Sequence, residues 1–81
     1  MHQLLNDPVD VIVSFSDNRV RPKKLRWDQR EYEIKQVNLI HTATEGAKRL
    51  FFFSVSDETN FFKLRLDTEL LEWRLVELYT E

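Results

Sequence analysis

The chain has 81 residues, of which 12 are Lys or Arg and 14 are Asp or Glu, for a formal net charge of −2. Domains usually span about 50–250 residues, so this length holds one compact unit whose stability rests on efficient apolar packing. Hydrophobic residues make up 42% of the sequence, with ten aromatic rings among them, and the lack of cysteine excludes disulfides and thiolate-held metals.

Residues 1–8 carry Asn6-Asp7-Pro8 and little pattern beyond Leu4 and Leu5. They read as a loosely ordered leader to a single β domain over 9–81. Val9, Val11, Val13 and Phe15 then recur at every second position, the period of a half-buried strand rich in β-branched residues. Asp17-Asn18 ends it. Leu25 and Trp27 alternate with Lys24 and Arg26, Asp28-Gln29 forms a two-residue hairpin link, and Tyr32 and Ile34 resume the alternation. The apolar phase next shifts from even to odd, with Ile34 followed by Val37 and Leu39, which predicts a β-bulge near Lys35-Gln36. His41 to Lys48 is the longest polar gap and reads as a loop.

Arg49 to Ser56 carries Phe51, Phe53 and Val55 on one face and Leu50 and Phe52 on the other, as a central strand covered on both sides would. Ser56 to Asn60 is a turn, after which Phe62, Leu64 and Leu66 alternate with Phe61, Lys63 and Arg65. The last stretch fits two patterns. A helix over 68–80 uses good helix formers and a Thr68 cap, yet it scatters Leu70, Trp73 and Val76 among polar positions. A strand places Leu71, Trp73 and Leu75 inward. Pattern alone leaves both open.

The fold expected from these segments is all-β: one antiparallel meander of five to six strands, as a curled sheet or small open barrel. An α+β fold with a C-terminal helix at 68–80 is the alternative. The expected core is Val11, Val13, Leu25, Trp27, Tyr32, Ile34, Phe53, Val55, Phe62, Leu64, Trp73 and Leu75.

Catalytic signatures are missing. His2 and His41 fall on the leader and the loop, without the short-range ligand pairs of a metal site. Ser14, Ser16, Ser54 and Ser56 have no His nearby in sequence to serve as a base. A single glycine, Gly46, cannot build a phosphate-cradling loop. No cofactor is therefore expected, and the reading is a non-enzymatic module. The longest apolar run, Leu50 to Phe53, is far short of the roughly 20 residues that span a bilayer. No basic region followed by an apolar stretch opens the chain, so a cytoplasmic protein without a membrane partner is the expectation.

Charge is distributed unevenly. Arg19, Arg21, Lys23, Lys24, Arg26 and Arg30 stand against Asp28 alone, so residues 19–30 carry +5 and the remainder of a chain totalling −2 carries −7. The strip is a candidate site for an acidic protein or for single-stranded nucleic acid, bound weakly through phosphates. Two blander readings compete: a solvated edge strand, where cations discourage aggregation, or a face turned toward the chain's own acidic C-terminal segment. Phe52 and Phe61 fall opposite the inward positions of their strands and form a candidate protein interface. Binding of a protein partner is the leading expectation.

Several spacings carry a resemblance. Pro22, Leu25-x-Trp27, Arg30-x-Tyr32-x-Ile34-x-x-Val37, Phe53-x-Val55, Phe62-x-Leu64-x-x-Asp67 and Trp73-x-Leu75 together cover roughly 55 of the 81 residues. They resemble a family of very small bacterial all-β domains of unknown function. Some members stand alone, and others are appended to the C-terminus of polymerase-like proteins of mutagenic DNA repair. The resemblance implies a strand over 71–79 and a binding module near DNA metabolism. This chain departs from the family pattern at two positions, with Gln29 in the tight turn and Leu71 before the final Trp, where relatives tend to have glycine.

Overall fold

The two-residue period seen along the sequence becomes strand nearly throughout the computed structural model, which describes residues 1–80. The strands are β1 (His2–Pro8), β2 (Asp10–Ser16), β3 (Arg19–Trp27), β4 (Arg30–Glu33), β5 (Gln36–Glu45), β6 (Lys48–Ser56), β7 (Asn60–Asp67) and β8 (Glu72–Thr80). All pair antiparallel, in a five-stranded sheet of order β1-β8-β7-β6-β5 and a three-stranded sheet of order β2-β3-β4. The fold is all-β, and the sheets do not close into a barrel.

The structure has eight strands where five or six were expected, and two sheets where one meander was expected. Two segments account for the extra strands. The supposed leader is β1, which pairs with β8 from His2↔Tyr79 to Pro8↔Arg74. It shows little period-two pattern because it is an edge strand, with Asp7 held by the indole of Trp27 rather than left in solvent. The supposed loop 41–48 is the end of β5, the two-residue turn Gly46-Ala47 and the first residue of β6. Its Thr and His side chains read as loop because β5 is also an edge and stays mostly exposed.

The phase change after Ile34 is not a bulge at Lys35-Gln36. There the chain changes sheets: the Ile34 amide donates to Lys23 O of the small sheet and the Lys35 amide to Ser56 O of the large one, both at 2.9 Å. The register shift on β5 comes later, between Val37 and Leu39. No helix forms at 68–80. The Asp67 carboxylate instead accepts the Glu69 and Leu70 amides, the Thr68 hydroxyl donates to Arg49 O, and Leu71 turns the chain at φ 54° into β8. Leu71 is therefore exposed rather than inward.

Both sheets turn one face toward a common core. Leu25 and Ile34 from the small-sheet segment meet Phe53, Val55, Phe62, Leu64 and Leu75 from the large sheet. Tyr32 bridges the layers, its ring 5.2 Å from Phe62 and edge-on, and Val11, Trp27 and Trp73 pack around the cluster. Val9 and Leu78 join this core although neither was expected there. Val13 does not belong to it. It is 40% exposed, because the large sheet does not extend beneath the outer half of the β2–β3 hairpin.

Candidate interaction surfaces

The basic strip falls on β3 and the start of β4, and its six cations divide into two groups. Lys24 and Arg26 lie in the three-stranded part of the sheet, opposite Glu33 and Glu31 of β4. Arg26 also binds Asp10 of β2 at 2.9 Å. Arg30, exposed, follows the Asp28-Gln29 turn. These three sit among acids, as on an ordinary solvated sheet face. Arg19, Arg21 and Lys23 are different: they precede the part of β3 that pairs with β4, Arg19 and Arg21 lying opposite Ser16 and Ser14 of β2, and Lys23 at the register shift with its carbonyl taken by the Ile34 amide.

Among the described residues, which do not include Glu81, the acidic C-terminal segment makes no ion pair with the strip. Asp67 binds Lys48 at 3.0 Å, Glu72 binds Arg74 at 3.1 Å, and Glu77 binds Lys63 at 3.3 Å and His2 at 2.8 Å. Each of those acids is satisfied on the large sheet. Among the described residues, no carboxylate lies within ion-pair distance of Arg19, Arg21, Lys23, Lys24 or Arg30.

Beside Arg19–Lys23 runs a cleft of about 440 Å³, bounded on the other side by residues 34–40. Its apolar lining comes from Val20, Pro22, Ile34, Val37 and Ile40, and Lys35 adds a fourth cation, paired with Glu33 at 3.3 Å. The hairpin overhang continues the apolar surface. Phe15, the cross-strand partner of Val20, is 71% exposed, and Val13 lies opposite the buried Pro22. Period-two reasoning assigns Phe15 and Val13 to the inward side of β2, and that side is where they lie. The sequence carries no signal that the facing sheet stops short of them. Lys35 and Ile40 were likewise missed, because their role depends on the crossing between sheets.

Phe52 and Phe61 project from the outer face of the large sheet. Phe61 is 50% exposed and pairs across strands with Tyr79, 53% exposed, whose ring lies 5.4 Å from His2. Phe52 is largely occupied: His41 stacks on it at 5.0 Å with 10° between the planes, and Lys63 Nζ lies 5.5 Å from its centroid. On the same face Arg65 stands opposite Arg74, and its Nε is buried without a hydrogen-bond partner. The hydrogen bond from His2 and the Lys63 ammonium hold the Glu77 carboxyl below its ordinary range, against the opposing effect of burial. The rings and the basic strip thus occupy the outward faces of different sheets, and no single groove joins them. Neither Phe52 nor Phe61 is therefore a stacking platform beside that strip, where the exposed ring is Phe15.

Among the described residues, no group of three or more His, Asp or Glu side chains is placed to hold a metal ion. No helix of the structure is long and apolar enough to cross a membrane. No family model, curated protein or solved structure matches the chain.

Proposed function

We propose that the chain is a non-enzymatic cytoplasmic interaction module that binds an acidic, partly apolar segment of a protein partner. The site is the cleft between the β2–β3 overhang and β5. The observation that carries this reading is the coincidence of Arg19, Arg21 and Lys23, which pair with no carboxylate among the described residues, with an apolar cleft and the exposed Phe15. Unpaired cations can accept an anion without first breaking an internal ion pair. Apolar floor residues supply the buried anchor that interfaces need at their centre. The cleft floor is aliphatic rather than aromatic, which suits an apolar peptide anchor better than stacked bases and favours a peptide over single-stranded nucleic acid.

The experiment is a titration of isotope-labelled protein, at low and physiological salt, with a short peptide repeating Val-Val-Glu-Glu, which carries both residue types on each face of a strand, and separately with oligo-deoxythymidine. The peptide is expected to shift resonances of residues 19–23 and 34–40. The double variant Arg21→Glu/Lys23→Glu is expected to bind it at least about tenfold more weakly, while Phe61→Asp binds it normally. The reading fails if the peptide leaves those resonances unmoved, or if only the oligonucleotide shifts them.

A further inference from the structure

The cleft adjoins an open sheet edge. β5 and β6 are joined by Gly46-Ala47, with Glu45↔Lys48 as the closing pair. In a two-residue hairpin the closing pair exchanges both backbone hydrogen bonds, and such pairs recur at alternate positions. Leu39, His41, Ala43 and Glu45 therefore bond to β6. The amides and carbonyls of Ile40, Thr42 and Thr44 point away from the sheet, because β5 is its last strand.

Natural edges are usually blocked by brevity, charge, proline or a bulge. β4 is four residues long and carries Arg30, Glu31 and Glu33; β1 ends in Pro8; β2 carries Asp10 and borders the bulge that Lys23 makes in β3. β5 has no Lys, Arg, Asp, Glu or Pro from Gln36 to Thr44, and its one register shift leaves Leu39–Glu45 unbroken. Leu39 and Ile40 are both exposed there.

We propose that the acidic partner segment joins β5 as a sixth strand of the large sheet. This rests on the cleft reading above and specifies how the segment is held. Ile40 belongs to both features, since it lines the cleft and has free backbone groups on the edge. A strand added beside it sets alternate apolar side chains next to Ile40 and over the cleft. Acidic side chains on that same face reach the Arg19–Lys23 rim, while the intervening positions point to the opposite face of the sheet beside Leu39 and His41. Main-chain bonds supply affinity in this mode, and side-chain pockets supply selectivity. A second copy of this chain is a poorer occupant: β5 carries a single acid, Glu45, and self-pairing brings two unneutralised cation clusters together.

The test uses the same valine–glutamate peptide, alongside two versions N-methylated at alternate positions in opposite phase. Affinity is measured for all three, and hydrogen exchange is followed at the Ile40, Thr42 and Thr44 amides. Strand addition predicts that one N-methylated phase loses at least about tenfold in affinity and the other does not, with the three amides slowed by a similar factor on binding. Equal binding of all three peptides with unprotected amides overturns strand addition and leaves the cleft reading intact. No binding of any peptide overturns both. Amides already protected in free protein that sediments as a dimer assign the edge to a second copy and overturn the proposal.

Discussion

Asp67 shows how much one side chain holds in a chain this short. Its carboxylate accepts the amides of Glu69 at 2.9 Å and Leu70 at 3.1 Å and receives Lys48 at 3.0 Å, joining the β7–β8 turn to the start of β6. The Leu70 amide first, and the Lys48 ammonium with it, hold its pKa below the ordinary value. Asp57 behaves alike: burial pushes its pKa up, but the Thr59 and Asn60 amides and the Asn60 side chain prevail and lower it. A depressed folded pKa means that the stabilisation is complete above the unfolded value of about 4 and fades as pH falls through the folded value. Asp67→Asn should therefore lower stability at neutral pH and flatten the acid limb of a denaturant-midpoint-versus-pH curve. An unchanged acid slope would contradict this assignment. The left-handed residues give the opposite kind of prediction. Gln29 at φ 66° and Leu71 at φ 54° adopt backbone that disfavours side chains, and both are exposed. Replacing either with glycine should stabilise by up to about 1 kcal/mol, the strain relieved being partly offset by glycine's greater unfolded freedom. Thermal unfolding of the two single variants checks this, and destabilisation in both would mean that the side chains do more than strain the turns.

At the scale of elements, legibility followed burial. For β6 and β7 the sequence reading and the strand bounds agree to within a residue, because the shared core buries Phe53, Val55, Phe62 and Leu64 at alternate positions of the two strands. The hairpin at Asp28-Gln29 was legible for a local reason, the spacing of Trp27 and Tyr32 around two polar residues. Edge strand β1 reads as a leader and the outer part of β5, from His41, as a loop, since an exposed strand needs no apolar period; for β1 the pairing partner β8 is also remote in sequence. The site was half legible on the same grounds. Charge clustering identified Arg19, Arg21 and Lys23, but their separation from Lys24, Arg26 and Arg30 depends on where β4 stops pairing with β3. Phe15 was assigned the correct face and the wrong environment. One tie between elements was invisible in the sequence: the Trp27 indole donates to Asp7 at 2.9 Å, fastening β1 of the large sheet to β3 of the small one. Trp27→Phe keeps most of the ring and removes that bond, so it should cost about 1 kcal/mol. Hydrogen exchange should quicken most in β1, which has β8 as its only strand neighbour. A uniform change across all strands would indicate lost packing instead.

For the whole molecule, the question is whether two sheets of unequal size behave as one folding unit. Each carries a tryptophan on its inner side, Trp27 on β3 and Trp73 on β8. Trp73 lies 5.2 Å from Phe53, and Trp27 lies 6.5 Å from Tyr32, which touches Phe62. Both rings therefore report on the same cluster from opposite layers. The small sheet has no core of its own: Leu25, fully buried, belongs to the one cluster that also holds Phe53, Val55 and Leu64 of the large sheet. Two or three strands alone are marginal in water. Separate unfolding of either layer would expose the shared cluster, so the transition should be all-or-none. In the single-tryptophan variants Trp27→Phe and Trp73→Phe, fluorescence and far-ultraviolet dichroism should give coincident denaturant transitions. Leu64→Ala, a cavity in the central strand of the large sheet, should shift both reporters together by about 2–5 kcal/mol. For a chain of this length the total is about 4–12 kcal/mol, so the variant approaches the limit of folding. If the Trp27 signal instead moves ahead of the Trp73 signal, the small sheet opens independently. The overhang that carries Arg19, Arg21 and Phe15 would then be a hinged arm rather than a fixed wall of the cleft.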